Sequence, residues 1–424
     1  MELMILLILF VLFFMNVPIG FALGMASLIV MWVTDLPLIT ISQKMFSGVD
    51  SFPLMAVPFF ILAGDLMDAG GISIRIVRFA DTLVGHIRGG LAHVAVMASM
   101  FFAGISGSSI ADTAAVGSIL IPAMEKSNYG KAYSASVCAA AGSVGCIIPP
   151  SIPMVVYGIL GNVSIAALFL GGIIPGLLIG LSLMILAYLI ARARGFESGK
   201  WRGFGEIWKG LRHAILALIM PGIIVGGIMG GVFTATESGA IAVVYGLAVG
   251  LLVFRKIRLR DLPQVFIRSS ITTGMVMMII STASIFRYLL TIDQVPQKVA
   301  EIFLSITNNP YVLFMLINVL LLVVGTFMDT LGALIILAPI FLPVVTGFGV
   351  DPVHFGVVVV INLAIGMATP PLGVCLFVAC SIAKITVSEI TRAVWPFLIV
   401  LIVVLFMVTY LPPTTLWIPR LVGF

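Results

Sequence analysis

Two stretches of the chain place oxygen-rich residues where an apolar helix would otherwise run on. Phe101–Asp112, FFAGISGSSIAD, holds two glycines, three serines and an aspartate inside a long apolar segment. Val324–Thr330, VGTFMDT, repeats that design 221 residues later. Two further breaks follow them, Gly142–Pro153 (GSVGCIIPPSIP) and Gly366–Gly373 (GMATPPLG). Backbone freed from a helix inside hydrocarbon leaves polar groups unpaired, so it persists only where it is buried in protein or lines a site. A broken helix also has two useful ends. Free carbonyls carry partial negative charge and hold cations; free N–H groups carry partial positive charge and hold carboxylates.

The tip Gly104–Ser109 supplies carbonyls and hydroxyls, and the break Gly145–Pro150 supplies more carbonyls, because each proline removes a donor. In the later pair, Gly325, Thr326 and Asp329 face Gly366, Met367 and Thr369–Pro371. Each pair makes an all-oxygen shell suited to a hard cation. Sodium fits better than a proton, since no chain of titratable groups runs through the apolar stretches. Between the shells, Ser108, Ser109, Ser151, Thr369 and the helix N-termini are candidate substrate contacts. Asp112 and Asp329 are acids within apolar segments, where an acid is functional by default. Asp112 joins the candidate substrate contacts; capping the second arm of its hairpin is its other reading.

Other features read more plainly. Gly226-x-x-x-Gly230 and Gly227-x-x-x-Gly231 are packing seams. Glu237 is a capping or solvated acid in a turn, and Arg287 either snorkels or attracts an anion. Cys138, Cys146, Cys375 and Cys380 have no metal or redox spacing and are small core residues. His86, His93, His213 and His354 lie near span ends and are given no role. No nucleophile elbow, selectivity-filter repeat or H-E-x-x-H is present, so no enzymatic activity is expected, and no cofactor beyond a coupling ion.

The elements that must position these breaks are membrane helices. The chain of 424 residues is 61% hydrophobic and 9% charged, against about 25% charged in an ordinary soluble domain. Apolar runs near span length recur throughout, which indicates an all-α polytopic membrane protein in the lipid bilayer, with about 11 transmembrane helices and two re-entrant helical hairpins. Its start lacks the basic residues and cleavage site of a signal peptide. The net charge of +5 sits in loops between spans, as the positive-inside rule produces, and does not point to nucleic acid. In order, the expected crossings are 2–15 and 17–34 (divided at Asn16–Gly20, or one kinked span), 52–69, 131–160 with its break, 165–189, 213–232, 235–254, 271–290, 354–380 with its break, and 393–411. The polar loop 191–212 holds Arg192, Arg194, Lys200, Arg202, Lys209 and Arg212. Segments 70–88 and 291–309 are amphipathic helices lying at the interface.

Sliding the chain by 221 residues aligns Gly104 with Gly325, Pro122 with Pro343, Gly145 with Gly366, Pro149-Pro150 with Pro370-Pro371, and Pro175 with Pro396. The chain is therefore a repeat. Five crossings, an odd number, separate the hairpins 89–125 and 311–346, so the repeats have inverted topology. The basic segments 191–212 and 255–260 are separated by two crossings and both fall in the cytoplasm, which leaves both termini periplasmic. The expected units are 1–88 (scaffold helices and cytoplasmic arm), 89–160 (first hairpin and broken helix), 161–309 (connecting and scaffold helices with the periplasmic arm), 310–380 (second hairpin and broken helix) and 381–424 (C-terminal helix).

On Phe52–Gly64 (FPLMAVPFFILAG), Gly104–Asp112, Gly145–Pro150, Gly226–Glu237 (GGIMGGVFTATE) and Gly366–Gly373, the whole chain resembles the large membrane subunit of tripartite ATP-independent periplasmic (TRAP) transporters, of the DctM or SiaM type. The resemblance implies an elevator-type, sodium-driven importer in the bacterial inner membrane. It implies two partners, a small four-helix membrane subunit and a periplasmic binding protein that delivers an organic acid. Carried onto this chain, one sodium site falls at Ser106, Ser108, Gly145, Ile148 and Pro150, the other at Gly325, Asp329, Gly366, Thr369 and Pro371. Likeness to SiaM-type chains makes sialic acid (N-acetylneuraminate) the expected substrate. A C4-dicarboxylate, or a stand-alone symporter of divalent anions with the same architecture, is the alternative.

Overall fold

The computed structural model describes residues 2–424 except Asn16, Arg202 and Asn308, so the Asn16 of the first break and the Arg202 of the polar loop lie outside the described residues. Among the described residues it is all helix, apart from one isolated bridge joining Arg88 and Ser198. The first half of the chain forms α1 (Glu2–Phe14), α2 (Ile19–Val33), α3 (Ile39–Val49), α4 (Ala56–Ala69), α5 (Ile72–Val84), α6 (Gly90–Ser106), α7 (Ser109–Lys126), α8 (Lys131–Gly142), α9 (Ile152–Gly161) and α10 (Ile165–Ala193). The second half forms α11 (Phe204–Met229), α12 (Ala235–Ala248), α13 (Leu262–Ile292), α14 (Val295–Ile306), α15 (Pro310–Phe327), α16 (Thr330–Gly347), α17 (Pro352–Gly366), α18 (Val374–Ala383), α19 (Val387–Tyr410) and α20 (Pro413–Val422).

Eight helical stretches among the described residues are long and apolar enough to cross a bilayer, including both arms of the second hairpin; α1, α2, α6, α9, α17 and α18 are shorter apolar helices, and the remaining helices are less apolar. The two hairpins are α6–α7 and α15–α16, and the two broken helices are α8–α9 and α17–α18. The first apolar segment is divided into α1 and α2, which pack against each other. The amphipathic segment forms α5, which buries Ile72, Ile76, Phe79 and Ala80 against α6 and α11 and leaves Arg78 exposed.

Three differences from the expected elements have local causes. α11 begins at Phe204 rather than 213, because Glu206 sits in its first turn and Lys209 reaches it at 2.8 Å. α3 and α20 are additional; both are short and mix apolar with polar residues, so neither reads as a span. The glycines at 226–231 are not a seam between helices of this chain. A Cβ on Gly226 would meet nothing within 4 Å, one on Gly230 only its own segment, and one on Gly227 the following Phe233 at 2.5 Å.

Packing sorts the helices into two sets. α2, α3, α4, α12 and α13 pack on one another, with α1 against α2 and α11 against α12. The hairpins and broken helices pack together and are joined by α10, α19 and α20. Segment 161–309 is thus divided, with α10 beside the hairpins and α11–α13 in the other set. α5 and α14 bridge the sets, α5 lying against α6 and α11, α14 against α16 and α13.

Candidate functional site

Each hairpin tip is built by a cap. In the first, Gly107 ends α6 with φ of 58°, a left-handed conformation that suits glycine, and Ser108 begins α7. The Ser108 hydroxyl accepts from Ala111 N–H at 3.4 Å. In the second, Asp329 begins α16, and its Oδ2 accepts from Leu331 N–H at 3.1 Å and Gly332 N–H at 3.2 Å. Ser108 and Asp329 are 221 residues apart, so the repeat extends to the capping position itself.

The tips sit on the breaks through equivalent contacts. Ser109 N–H donates to Cys146 Sγ at 3.3 Å, and the Ser109 hydroxyl donates to the Ser143 carbonyl at 3.1 Å. At the same offset, the Thr330 hydroxyl donates to Met367 Sδ at 2.8 Å. Backbones come close. A Cβ on Gly145 would lie 2.8 Å from the Ser108 carbonyl oxygen, and one on Gly107 2.8 Å from that of Pro150. Ile152 N–H donates to the Gly107 carbonyl at 3.4 Å. A Cβ on Gly366 would lie 2.6 Å from Gly325 Cα. The Pro149-Pro150 and Pro370-Pro371 peptide bonds are both cis.

The expected residues therefore gather as follows. Ser106, Ser108, Gly145 and Pro150 meet where the first tip crosses its break. The Ser106 hydroxyl donates to the Ser108 carbonyl at 3.4 Å and accepts from Ser108 N–H at 3.3 Å. Ile148 lies in the same break and points its side chain toward Gly176 of α10. Gly325 and Gly366 meet where the second hairpin crosses its break, and Asp329 begins the arm that follows. Thr369 and Pro371 lie in its break, with the Thr369 hydroxyl donating to the Ile365 carbonyl at 2.8 Å.

A cavity of about 710 Å³ separates the two tips from α4 and α13. Ser106–Ala111 line it from the first tip, Asp329–Leu331 from the second, and Cys146 and Met367 from the breaks. Ser108 and Ser109 thus border the cavity. Ser151 and Thr369 are not among its lining residues. Ser151 is fully buried as the cap of α9, its hydroxyl donating to the Cys146 carbonyl. Asp112 is also fully buried; among the described residues neither carboxyl oxygen makes a hydrogen bond of good geometry, and the buried Ser99 hydroxyl is the polar group beside it. Asp112 does not cap α7; Ser108 does. Glu237 closes a capping box with Thr234 at the start of α12.

Sequence reasoning missed the far end of the cavity, which Asp65, Asp68, Ser73, Arg268 and Thr272 line. Asp65 sits in an apolar span, and that alone could have marked it. The basic patch stands beside this end: Lys256 Cγ is 3.8 Å from the Cβ position of Gly71. A second missed feature is a buried polar network beside the second hairpin. Asn362 Nδ2 donates to Asn318 Oδ1 at 2.8 Å, Asn318 Nδ2 donates to the Thr409 hydroxyl at 3.0 Å, and the His354 ring pairs with the Thr415 hydroxyl (2.7 Å) and the Thr409 carbonyl (3.1 Å).

Comparison with known proteins places this geometry. Residues 6–414 match the family model described as tripartite ATP-independent periplasmic transporter, DctM component. The sialic acid TRAP transporter large permease protein SiaM of Vibrio cholerae is 41% identical over 97% of this chain and 96% of its own length. The C4-dicarboxylate large permease protein DctM of Pseudomonas aeruginosa is 41% identical over 91% of this chain and 90% of its own. The isethionate TRAP transporter permease protein DctMQ of Oleidesulfovibrio alaskensis is 44% identical over 94% of this chain, which spans 63% of that longer relative. Among solved structures, the YdaH transporter of Alcanivorax borkumensis aligns with TM-score 0.63 at 15% identity, covering 91% of this chain and 89% of YdaH, a likeness of fold alone.

Proposed function

This chain belongs to the DctM family of TRAP transporter large permease subunits, multi-pass membrane proteins that are not enzymes, and from that we propose a sodium-coupled importer of an organic acid. The observation that carries this reading is the pair of equivalently capped tips, Ser108 and Asp329, meeting at one cavity. Each tip crosses its Pro-Pro break where backbone carbonyls converge, a donor set suited to Na⁺. Each tip also begins a helix, α7 or α16, whose partial positive charge at the cavity wall suits a carboxylate, while the caps already take the Ala111, Leu331 and Gly332 N–H groups. Cations and acid thus share the same two short segments.

The rest of the reading concerns motion and partners. The set holding the hairpins, broken helices, α10, α19 and α20 is the transport body; α1–α4 and α11–α13 form the scaffold; α5 and α14 are the arms between them. Sliding of one body past the other would carry the acid across the inner membrane. With the charge-based orientation, the end of the cavity at Asp65, Arg268 and the basic patch faces the cytoplasm, so the conformation is inward-open and both termini are periplasmic. A small membrane subunit and a periplasmic binding protein complete the transporter. Relatives named for sialic acid, C4-dicarboxylates, isethionate and 2,3-diketo-L-gulonate all have similar identity. Sialic acid is the substrate we favour, on the likeness to SiaM along nearly the whole of both chains.

The test is reconstitution in liposomes with an inward sodium gradient, using labelled N-acetylneuraminate, succinate and isethionate, with and without the two partners. Sodium-dependent uptake only in the complete system is expected. Uptake by this chain alone would refute the need for partners, and equal flux without sodium would refute coupling.

A further inference from the structure

Four charged residues line the cavity among the described residues, Asp65, Asp68, Arg268 and Asp329, and Arg268 is the single cationic one. It stands on α13, and Asp65 on α4, both in the set of helices apart from the hairpins. Arg268 Nε lies 3.6 Å from Asp65 Oδ1, with the Arg268 side chain 71% exposed and that of Asp65 19%. Asp65 is anchored from elsewhere: the buried Ser269 hydroxyl donates to its Oδ2 at 2.6 Å. The carboxylate is therefore fixed, and the guanidinium is tethered to it loosely through one nitrogen. The two terminal nitrogens of Arg268 make no hydrogen bond among the described residues.

We propose that Arg268 is a release site for the substrate, receiving the carboxylate of the acid as it leaves the hairpin tips, with Asp65 competing for the guanidinium so that the acid is not retained. This rests on the transport reading above and adds the residue that governs its last step. Three physical points support it. A planar guanidinium with its outer edge unoccupied matches a carboxylate in two parallel bonds. An ion pair this exposed is worth only about 0–1 kcal/mol, so exchange of Asp65 for the substrate is cheap. And Arg268 stays with the scaffold when the hairpins move, so it meets the acid only while the cavity opens to this side. A cation fixed to the moving tips would hold the acid equally at both ends of the cycle; one fixed to the scaffold acts at one end alone.

The experiment uses the complete three-component transporter in liposomes, with binding protein outside only, so that only molecules facing outward contribute. Labelled N-acetylneuraminate, succinate and isethionate are tried, and the one that the wild type moves is used. Uptake is measured against increasing unlabelled acid inside. For Arg268→Gln, the internal concentration that halves uptake rises about tenfold, the loss of one charge-assisted pair. The external KM stays within about twofold. Arg268→Lys recovers most of the internal affinity. Asp65→Asn moves the opposite way, so that internal acid inhibits more strongly, which loss of packing at this spot would not produce. Unchanged internal inhibition in Arg268→Gln, or weaker inhibition in Asp65→Asn, overturns the proposal. A wild type that moves none of the three overturns the transport reading and the release site with it, whereas a transporting wild type whose Arg268→Gln variant is unaltered overturns the release site alone.

Discussion

Replacing Gly366 with alanine tests the proposed second cation shell directly. Its added methyl would stand 2.6 Å from Gly325 Cα and 2.7 Å from the Gly325 carbonyl carbon. Both are backbone atoms of α15, so no side-chain rotation relieves the contact. Carbon pairs settle near 3.5 Å, so α15 and the end of α17 must part locally by roughly 0.8 Å. Overpacking of this kind costs about 1–3 kcal/mol, which lowers the unfolding midpoint in detergent without abolishing the fold. The effect on the shell is far larger in proportion, because ligand distances in a cation site tolerate only about 0.2 Å. The sodium concentration for half-maximal uptake should therefore rise at least about tenfold, while Gly347→Ala, which meets nothing within 4 Å, should leave it unaltered. Wild-type sodium dependence in Gly366→Ala, with an unchanged midpoint, would refute both the close approach and the role of these carbonyls.

Other consequences are as specific. Ser108→Leu and Thr369→Leu should each abolish sodium-driven uptake while the protein still runs as a single species in size-exclusion chromatography; sodium dependence surviving both would remove these residues from the shells. Asn318→Ala leaves the Asn362 amide and Thr409 hydroxyl short of a partner in a fully buried setting, and should cost about 1–3 kcal/mol in thermal unfolding with sodium affinity retained. Ser118 lines the cavity and is exposed, whereas the four native thiols are buried, so Ser118→Cys should react with a membrane-impermeant maleimide in inside-out vesicles and not in intact cells. Labelling from the periplasmic side would reverse the assigned orientation.

What the sequence made legible was mostly what glycine and proline mark. The tips and breaks stand out because Gly107, Pro149-Pro150 and Pro370-Pro371 cannot continue a helix, and the constant offset between them shows without any structure. Contacts that are not periodic did not show. Asp65 and Ser269 are 204 residues apart in the chain, and nothing local in either stretch names the other. The network around His354 is built from scattered polar residues on α15, α17, α19 and α20, none of which shows a role in its own apolar context. Ser151 looked like a substrate contact because it follows a Pro-Pro break, but capping α9 consumes its hydroxyl. α3 stayed hidden because ITISQKMFSGV is too polar for a span.

The symmetry of the tips and its one conspicuous failure bear on coupling. Ser108 and Asp329 each belong at once to a proposed cation shell and to the cavity wall. A cation that orders a tip therefore also sets the direction of the N–H groups at the start of α7 or α16, and an acid bound there would favour the same ordered tip. Such reciprocity requires that each ligand contact the ordered and disordered tips differently, which shared segments supply and distant ones would not. At the position of Asp112 the second repeat has Ala333, equally buried. Each shell thus has one acid in a different place, Asp112 buried behind the first tip and Asp329 capping the second, although their backbones are alike. In the proposed cycle, the two sodium ions meet differently held acids, one buried behind a tip and one capping a helix, and bind with different affinities. Asp112→Asn should change the sodium step at the first tip alone, whereas a change in both steps together would show that the carboxyl acts on the fold rather than on one ion.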